Sequence, residues 1–160
     1  MNISLDIHIH AARSVVWAYM SDIPMALGHN RLHRDIIPLG SSHARTGHAF
    51  IITHRTFFGV NQMNAVIREC LPPERLQVEE SCKNQRLTGF THTSTFLLTP
   101  SAKGTKMMYI MEGTFRNPIR DLIFKPIARG IMLEELFRIK HAIESSEPGI
   151  DLKSQTLEPI

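Results

Sequence analysis

The chain has 160 residues, 42% hydrophobic and 21% charged, with a formal net charge of +3. That length fits one domain able to bury about two-thirds of its unfolded surface, and the composition excludes fibrous and disordered classes. Lys and Arg are scattered until about residue 116, unlike the concentrated basic face of a nucleic-acid binder, so no nucleic-acid partner is expected.

In residues 3–9 apolar Ile3, Leu5, Ile7 and Ile9 alternate with Ser4, Asp6 and His8, the pattern of a half-buried strand. Ala11 to Ser14 separate it from helical spacing at Val15, Val16, Tyr19 and Met20, with Trp17 beside them as a packing anchor. "IPMALGHN" predicts a second short helix ended by Gly28 or Asn30. "RDIIPLG" is a short strand that Pro38 restricts to an edge or an end. Longer strands follow: "HAFIITHRTFF", "NQMNAVIREC", "RLQVEESC", "GFTHTSTFLLT" and "TKMMYIMEGTF". Their short connections predict antiparallel neighbours. Asn117 and Pro118 then open a long helix, which Pro126 is expected to kink or split near Lys125. Pro148-Gly149 ends it. Residues 1–147 therefore form one ligand-binding domain and 148–160 a frayed tail. The fold class is α+β: a seven-stranded curved antiparallel sheet around a long C-terminal helix, with two short helices after strand 1 closing one end of a cup.

Cys70 lies near the Pro72-Pro73 turn of its hairpin and Cys82 far from it, so two free thiols in a reducing compartment are expected. No segment has a signal peptide's basic start and apolar core, and no run of about 18 apolar residues spans a bilayer. The expected location is cytoplasmic.

Three stretches carry a family resemblance. "IHIHAARSVVWAYMSDI" resembles the strand, Ala-Pro-type turn and Val-Trp-bearing helix of the helix-grip superfamily, with Ala11-Ala12 where Pro is common. "IRECLPPERL" resembles its Val-x-Glu-x-x-Pro-Pro-x-Arg-Leu hairpin, and "LLTPSAKGTKMMY" its Leu-x-Pro-x-x-x-Gly-Thr hairpin. That superfamily includes the birch-pollen allergen, START lipid-transfer domains and polyketide cyclases, and the resemblance covers about residues 2 to 145. It implies the helix-grip fold. Its motifs describe turns and packing, and the hosted activities range from lipid carriage to ring closure, so function follows by analogy alone.

Alternation names the side chains expected inside. Phe50, Ile52 and Phe58 share a side with His54 and Thr56; Leu76 and Val78 with Glu80 and Cys82; Phe90, Phe96 and Leu98 with His92 and Ser94; Met107, Met111 and Phe115 with Tyr109 and Gly113. A bulge in the third strand would instead turn Thr53 and Arg55 inward. Four groups that titrate, His54, Glu80, His92 and Tyr109, thus lie on apolar faces. Burial costs each about 1–3 kcal/mol unless it is hydrogen-bonded. Pairing among themselves, or partial solvation near strand ends, is one reading; polar anchors of a small-molecule pocket is the other. Phe50, Ile52, Val78, Phe90, Ser94, Met107 and Met111, with Ile127 and Ile131 from the last helix, complete the expected ligand-binding lining. His54, His92 and Tyr109 are the catalytic candidates. The methionines suit an adaptable lining or ordinary core filling.

His8 and His10 share a strand face, and His29 and His33 are four apart. "HNRLH" lacks the Glu of a zinc-protease helix, and no spacing announces a third or fourth ligand, so no metal and no cofactor is expected. Arg116, Arg120, Lys125 and Arg129 flank the start of the last helix. A solvated face is the default there, with weak peripheral membrane contact as the alternative.

The leading function is binding or transport of a hydrophobic or aromatic small molecule (a lipid, quinone or polyketide-like compound) in an internal cavity. The first alternative is a polyketide cyclase/dehydratase-like enzyme. The second is a regulatory or interaction module without a ligand. Ligand identity and oligomeric state are not legible.

Overall fold

A computed structural model describes residues 1–56, 59–82, 90–115 and 117–146. Phe58, Arg116 and the expected tail lie outside the described residues. The elements run β1 (Asn2–Ile9), α1 (Arg13–Met20), α2 (Ile23–Leu27), β2 (His33–Pro38), β3 (Ala49–Thr56), β4 (Gly59–Leu71), β5 (Arg75–Ser81), β6 (His92–Ser101), β7 (Gly104–Gly113) and α3 (Pro118–Ser146). The seven strands form one antiparallel sheet in the order β1-β7-β6-β5-β4-β3-β2. Consecutive strands from β2 to β7 are neighbours, while β1 pairs with β7.

How β1 becomes α1 within three residues is a matter of close approach. The Thr105 hydroxyl donates to the Ala11 carbonyl at 2.8 Å, tying the turn to β7. Gly104, at φ +125°, lies where a Cβ would come within 2.3 Å of the Ile9 carbonyl oxygen, so only glycine fits. α2 is capped by Asp22, whose carboxylate accepts from the Met25 amide at 3.1 Å. Ile9, Val16, Met20, Ile23 and Ala26 are fully buried where the two helices close the end of the core.

Asn117 caps α3 through Oδ1, which accepts from the Ile119 and Arg120 amides. The expected split at Pro126 does not occur: α3 is one helix from Pro118 to Ser146, Pro126 included. Pro126 lacks the N–H that would bond the Leu122 carbonyl. Both residues are exposed, so water can take that carbonyl's bond and the helix continues. None of the described helices is long and apolar enough to cross a membrane. Cys70 pairs in register with Leu76 beside the hairpin turn, and no disulfide joins it to Cys82.

Candidate functional site

The alternation expected for the inner face is the one observed. Phe50, Ile52, Val78, Phe90, Phe96, Met107, Tyr109 and Met111 are buried, together with His54, Glu80 and Ser94. β3 pairs with β4 without a register shift, so the bulge that would turn Thr53 and Arg55 inward together is absent; Thr53 is buried, and Arg55 is exposed. Two expected lining residues are displaced. Ile127 is half exposed and Ile131 only partly buried, because the face of α3 turned to the sheet carries Ala128, Met132, Glu135, Leu136, Ile139 and Ile143 instead. Gly113 lies on the inner side as expected, but a Cβ there would come within 2.6 Å of His92 Cβ, so the sheet closes tightly around it.

The polar groups gather in two places. In the first, Glu80 of β5 is surrounded by three histidines. Its Oε2 is 2.8 Å from His54 Nε2, and its Oε1 is 3.6 Å from His92 Nε2 and 3.9 Å from His33 Nε2. The side chains of Glu80, His33, His54 and His92 are 3%, 4%, 8% and 11% exposed, so this cluster is shielded from water. Burial alone would raise the Glu80 carboxyl. The charge of His92, hydrogen bonds from His54 and His92, and the charge of His33 outweigh it and hold the carboxyl well below its usual range. Burial opposes a charged His92, yet Glu80 and the Phe90 carbonyl raise its pKa overall. His33 goes the other way: burial, aided by His54 and His92, lowers it to about 4 against the pull of Glu80 and the Leu27 carbonyl. At neutral pH the cluster holds an anionic carboxylate and a neutral His33.

His33 is the member that sequence reasoning missed. The register of β2 shifts between His33 and Asp35, a bulge that leaves Arg34 and Asp35 both exposed and returns the His33 ring to the interior. Its Nδ1 lies 2.7 Å from the carbonyl of Leu27, the last residue of α2. The His29–His33 pair that a helical spacing of four would bring together, and that Gly28 and Asn30 argue against, does not form: His29 instead meets the Tyr19 hydroxyl at 2.5 Å. His8 of β1 is exposed, and so is His10, one residue beyond the strand, which pairs with Glu144 of α3.

The second place lies between β7 and α3. Tyr109 stacks on Phe96 at 4.4 Å, and its hydroxyl is 3.3 Å from the Ser94 hydroxyl. Glu135 descends from α3 and is 1% exposed. Asn30 Nδ2 donates to its Oε2 at 2.9 Å, whereas Oε1 is buried with no hydrogen-bond partner among the described residues. Burial, then the charge of Glu80, raises the Glu135 carboxyl to about 8, opposed by Asn30 and the nearby Tyr109 hydroxyl. Burial and then the charge of Glu135 push the Tyr109 hydroxyl well above its usual range. Glu135 was legible as a polar residue at the buried helical spacing of Met132, Leu136 and Ile139. One interior thus holds an ionised carboxylate and a protonated carboxylic acid, the pairing of states that acid–base chemistry uses.

No protein-family model matches the chain, and no curated protein matches it. Solved structures do. A conserved protein from Geobacillus kaustophilus superposes with a TM-score of 0.73 at 13% identity, covering 91% of this chain and 97% of its own. Protein MLL2253 from Mesorhizobium loti gives 0.72 at 14% identity, covering 92% and 100%. The di-domain ARO/CYC StfQ from the steffimycin biosynthetic pathway gives 0.69 at 13% identity, with 90% of this chain matching 50% of that one. The fold is the helix-grip fold, with a curved seven-stranded antiparallel sheet and a long C-terminal helix.

Proposed function

We propose that the protein binds a small molecule with an apolar body and a hydrogen-bonding group between the sheet and α3. The observation that carries this reading is Glu135 Oε1, buried between the sheet and α3 with no partner at hydrogen-bond geometry among the described residues and with the Tyr109 hydroxyl as its nearby polar neighbour. An unsatisfied buried polar atom costs about 1–3 kcal/mol, and a ligand hydroxyl or carbonyl removes that cost. A carbonyl would accept from the protonated acid; a hydroxyl could donate to its other oxygen. Phe96, Met107, Met111 and Met132 supply apolar contact, which gives affinity, while the polar groups give orientation.

A naphthalenesulfonate dye tests the reading. Saturable binding of about one dye per chain, weakened by Met111→Trp in a folded protein, supports it. Absence of saturable binding refutes it and leaves the interaction module in its place.

A second reading, an acid–base enzyme of the cyclase or dehydratase kind, is favoured by the two buried carboxyls driven in opposite directions. Protonated Glu135 would donate to a developing enolate oxygen, and Tyr109 would orient it. Its test is turnover of a poly-β-keto thioester that falls in Glu135→Gln while dye affinity is retained. A cytoplasmic setting belongs to the proposal, in keeping with two cysteines that are not disulfide-bonded to each other. Both should react with a thiol reagent after unfolding without prior reduction.

A further inference from the structure

We propose that His33 Nε2, His54 Nε2 and the Glu80 carboxylate form a binding site for a divalent transition-metal ion of the zinc class. The proposal is independent of the ligand reading above. Donor atoms of the three side chains all lie within 4.8 Å of one another. A tetrahedral ion with bonds of about 2.0–2.1 Å sets its donors roughly 3.3–3.5 Å apart. His54 Nε2 lies 2.8 Å from Glu80 Oε2 and His33 Nε2 3.9 Å from Glu80 Oε1, each within about 0.6 Å of that spacing from one of the two carboxylate oxygens. Side-chain shifts of under about 1 Å would complete the geometry.

The ring tautomers supply a second argument. A carbonyl oxygen only accepts, so the contact of His33 Nδ1 with the Leu27 carbonyl places a hydrogen on Nδ1. In the neutral ring Nε2 then carries the lone pair, and it faces a carboxylate oxygen that carries lone pairs too. His92 is fixed in the same way, its Nδ1 3.0 Å from the Phe90 carbonyl, but its Nε2 serves as a donor towards Glu80 Oε1. The lone pair of His33 Nε2, turned towards a carboxylate oxygen, is an arrangement that a metal ion between them would satisfy. Fixing a ring by an Nδ1–H bond to a carbonyl is also how metal-ligating histidines are commonly oriented. His92, outside the three-donor set, lies 3.6 Å from Oε1 of the ligand carboxylate, the oxygen that also faces His33.

The donors come from β2, β3 and β5 of one sheet, so the scaffold holds them in place before any ion arrives. Three protein ligands leave a fourth position for water or a bound molecule. No sequence motif announces the set, because its members stand at positions 33, 54 and 80, brought together by strand pairing and a bulge.

The test titrates metal-stripped protein with zinc chloride by calorimetry and, separately, with cobalt(II) by visible absorption. About one equivalent should bind, with a d–d band and a melting temperature raised by several degrees. Affinity should fall at least about 100-fold in His33→Ala and in His54→Ala, while His10→Ala, on the outer face, binds as wild type. Circular dichroism and dye binding establish that each variant is folded. Where His54→Ala fails to fold, His33→Ala on the edge strand decides alone. Stripped wild type that binds no zinc, or a folded His33→Ala that binds it undiminished, overturns the site. Dye binding intact in that case leaves the ligand reading untouched.

A different feature stands on the outer side of α3. Ile119, Leu122, Ile123, Ile127, Leu133 and Phe137 are all exposed, between 42% and 75%. Their spacing puts them on one side of the helix, opposite the face packed on the sheet. The charged residues among 118–138 are Arg120, Asp121, Lys125, Arg129, Glu134, Glu135 and Arg138, of which Glu135 is buried and Glu134 is paired with Arg31 and Arg138. Asp121 accepts from the Thr114 hydroxyl and the Phe115 amide, which leaves a basic rim around an apolar stripe. We infer that this face docks on an anionic membrane surface, apolar side chains in the headgroup boundary and the rim on lipid phosphates and carboxylates. The protein should sediment with vesicles containing 30% phosphatidylserine, less with pure phosphatidylcholine, and lose binding in Leu122→Glu/Ile123→Glu. A failure to sediment overturns the proposal. So does a concentration-dependent dimer that the same double variant dissociates, which would assign the stripe to a second copy of the chain.

Discussion

Glu80 and Glu135 occupy the same interior and are equally buried, yet their surroundings drive them to opposite states. Glu80 has three imidazoles at 2.8–3.9 Å and stays ionised. Glu135 has one amide donor, a nearby phenol and the negative field of Glu80, and it keeps its proton to about pH 8. Burial raises both, so desolvation does not distinguish them; the difference lies in the number of cationic or donor groups within reach. One end of the interior is an ion cluster that neutralises itself, the other a neutral acid with an unused oxygen.

The largest effect should come from removing the anion. Glu80→Ala leaves the histidines without their counter-charge and opens a gap beside them. A loss of about 3–5 kcal/mol is expected, read as a lower urea midpoint at pH 7. A loss under about 1 kcal/mol would mean that the cluster is not held by charge.

Glu135 should produce a pH-dependent effect of the opposite kind. Between its ordinary value of 4.5 and its folded value of about 8, the folded chain keeps a proton that the unfolded chain has released. Stability from this group is therefore full below about 4.5 and falls as pH rises towards about 8. Glu135→Gln removes the dependence, so the variant should gain on wild type between pH 5 and pH 8.5, by on the order of a few kcal/mol. Parallel urea midpoints across that range would show that Glu135 ionises normally.

Tyr109→Phe should have the smallest effect. It deletes the hydroxyl from a 3.3 Å contact with Ser94 and from the surroundings of Glu135 while keeping the ring on Phe96. A change of about 0.5–1.5 kcal/mol is expected. In the wild type the phenolate band of Tyr109 at 295 nm should develop only well above pH 10, since its hydroxyl is raised.

Much of this comparison was legible in the strands. A period of two assigns every side chain of β5, β6 and β7 to a face, so Glu80, His92, Ser94 and Tyr109 were identified as inward polar residues before any packing was known. The helix was harder to read because α3 is apolar on two opposite sides. Ile127, expected as lining, is exposed, while Glu135, which the sequence reading leaves unassigned, is buried. A bulge removed the regularity that would have shown His33.

By itself the sequence determined the alternation, the turns and the order of elements, because these depend on residues within a few positions of one another. That was sufficient for the sheet, the closing helices and three of the four members of the histidine–carboxylate cluster. Only the tertiary structure decided which side of α3 meets the sheet, that Asn30 reaches Glu135, and that His33, His54 and Glu80 converge. Those depend on sheet curvature and on a one-residue shift in β2, displacements of a few ångströms that no local pattern encodes and that set which charges face one another.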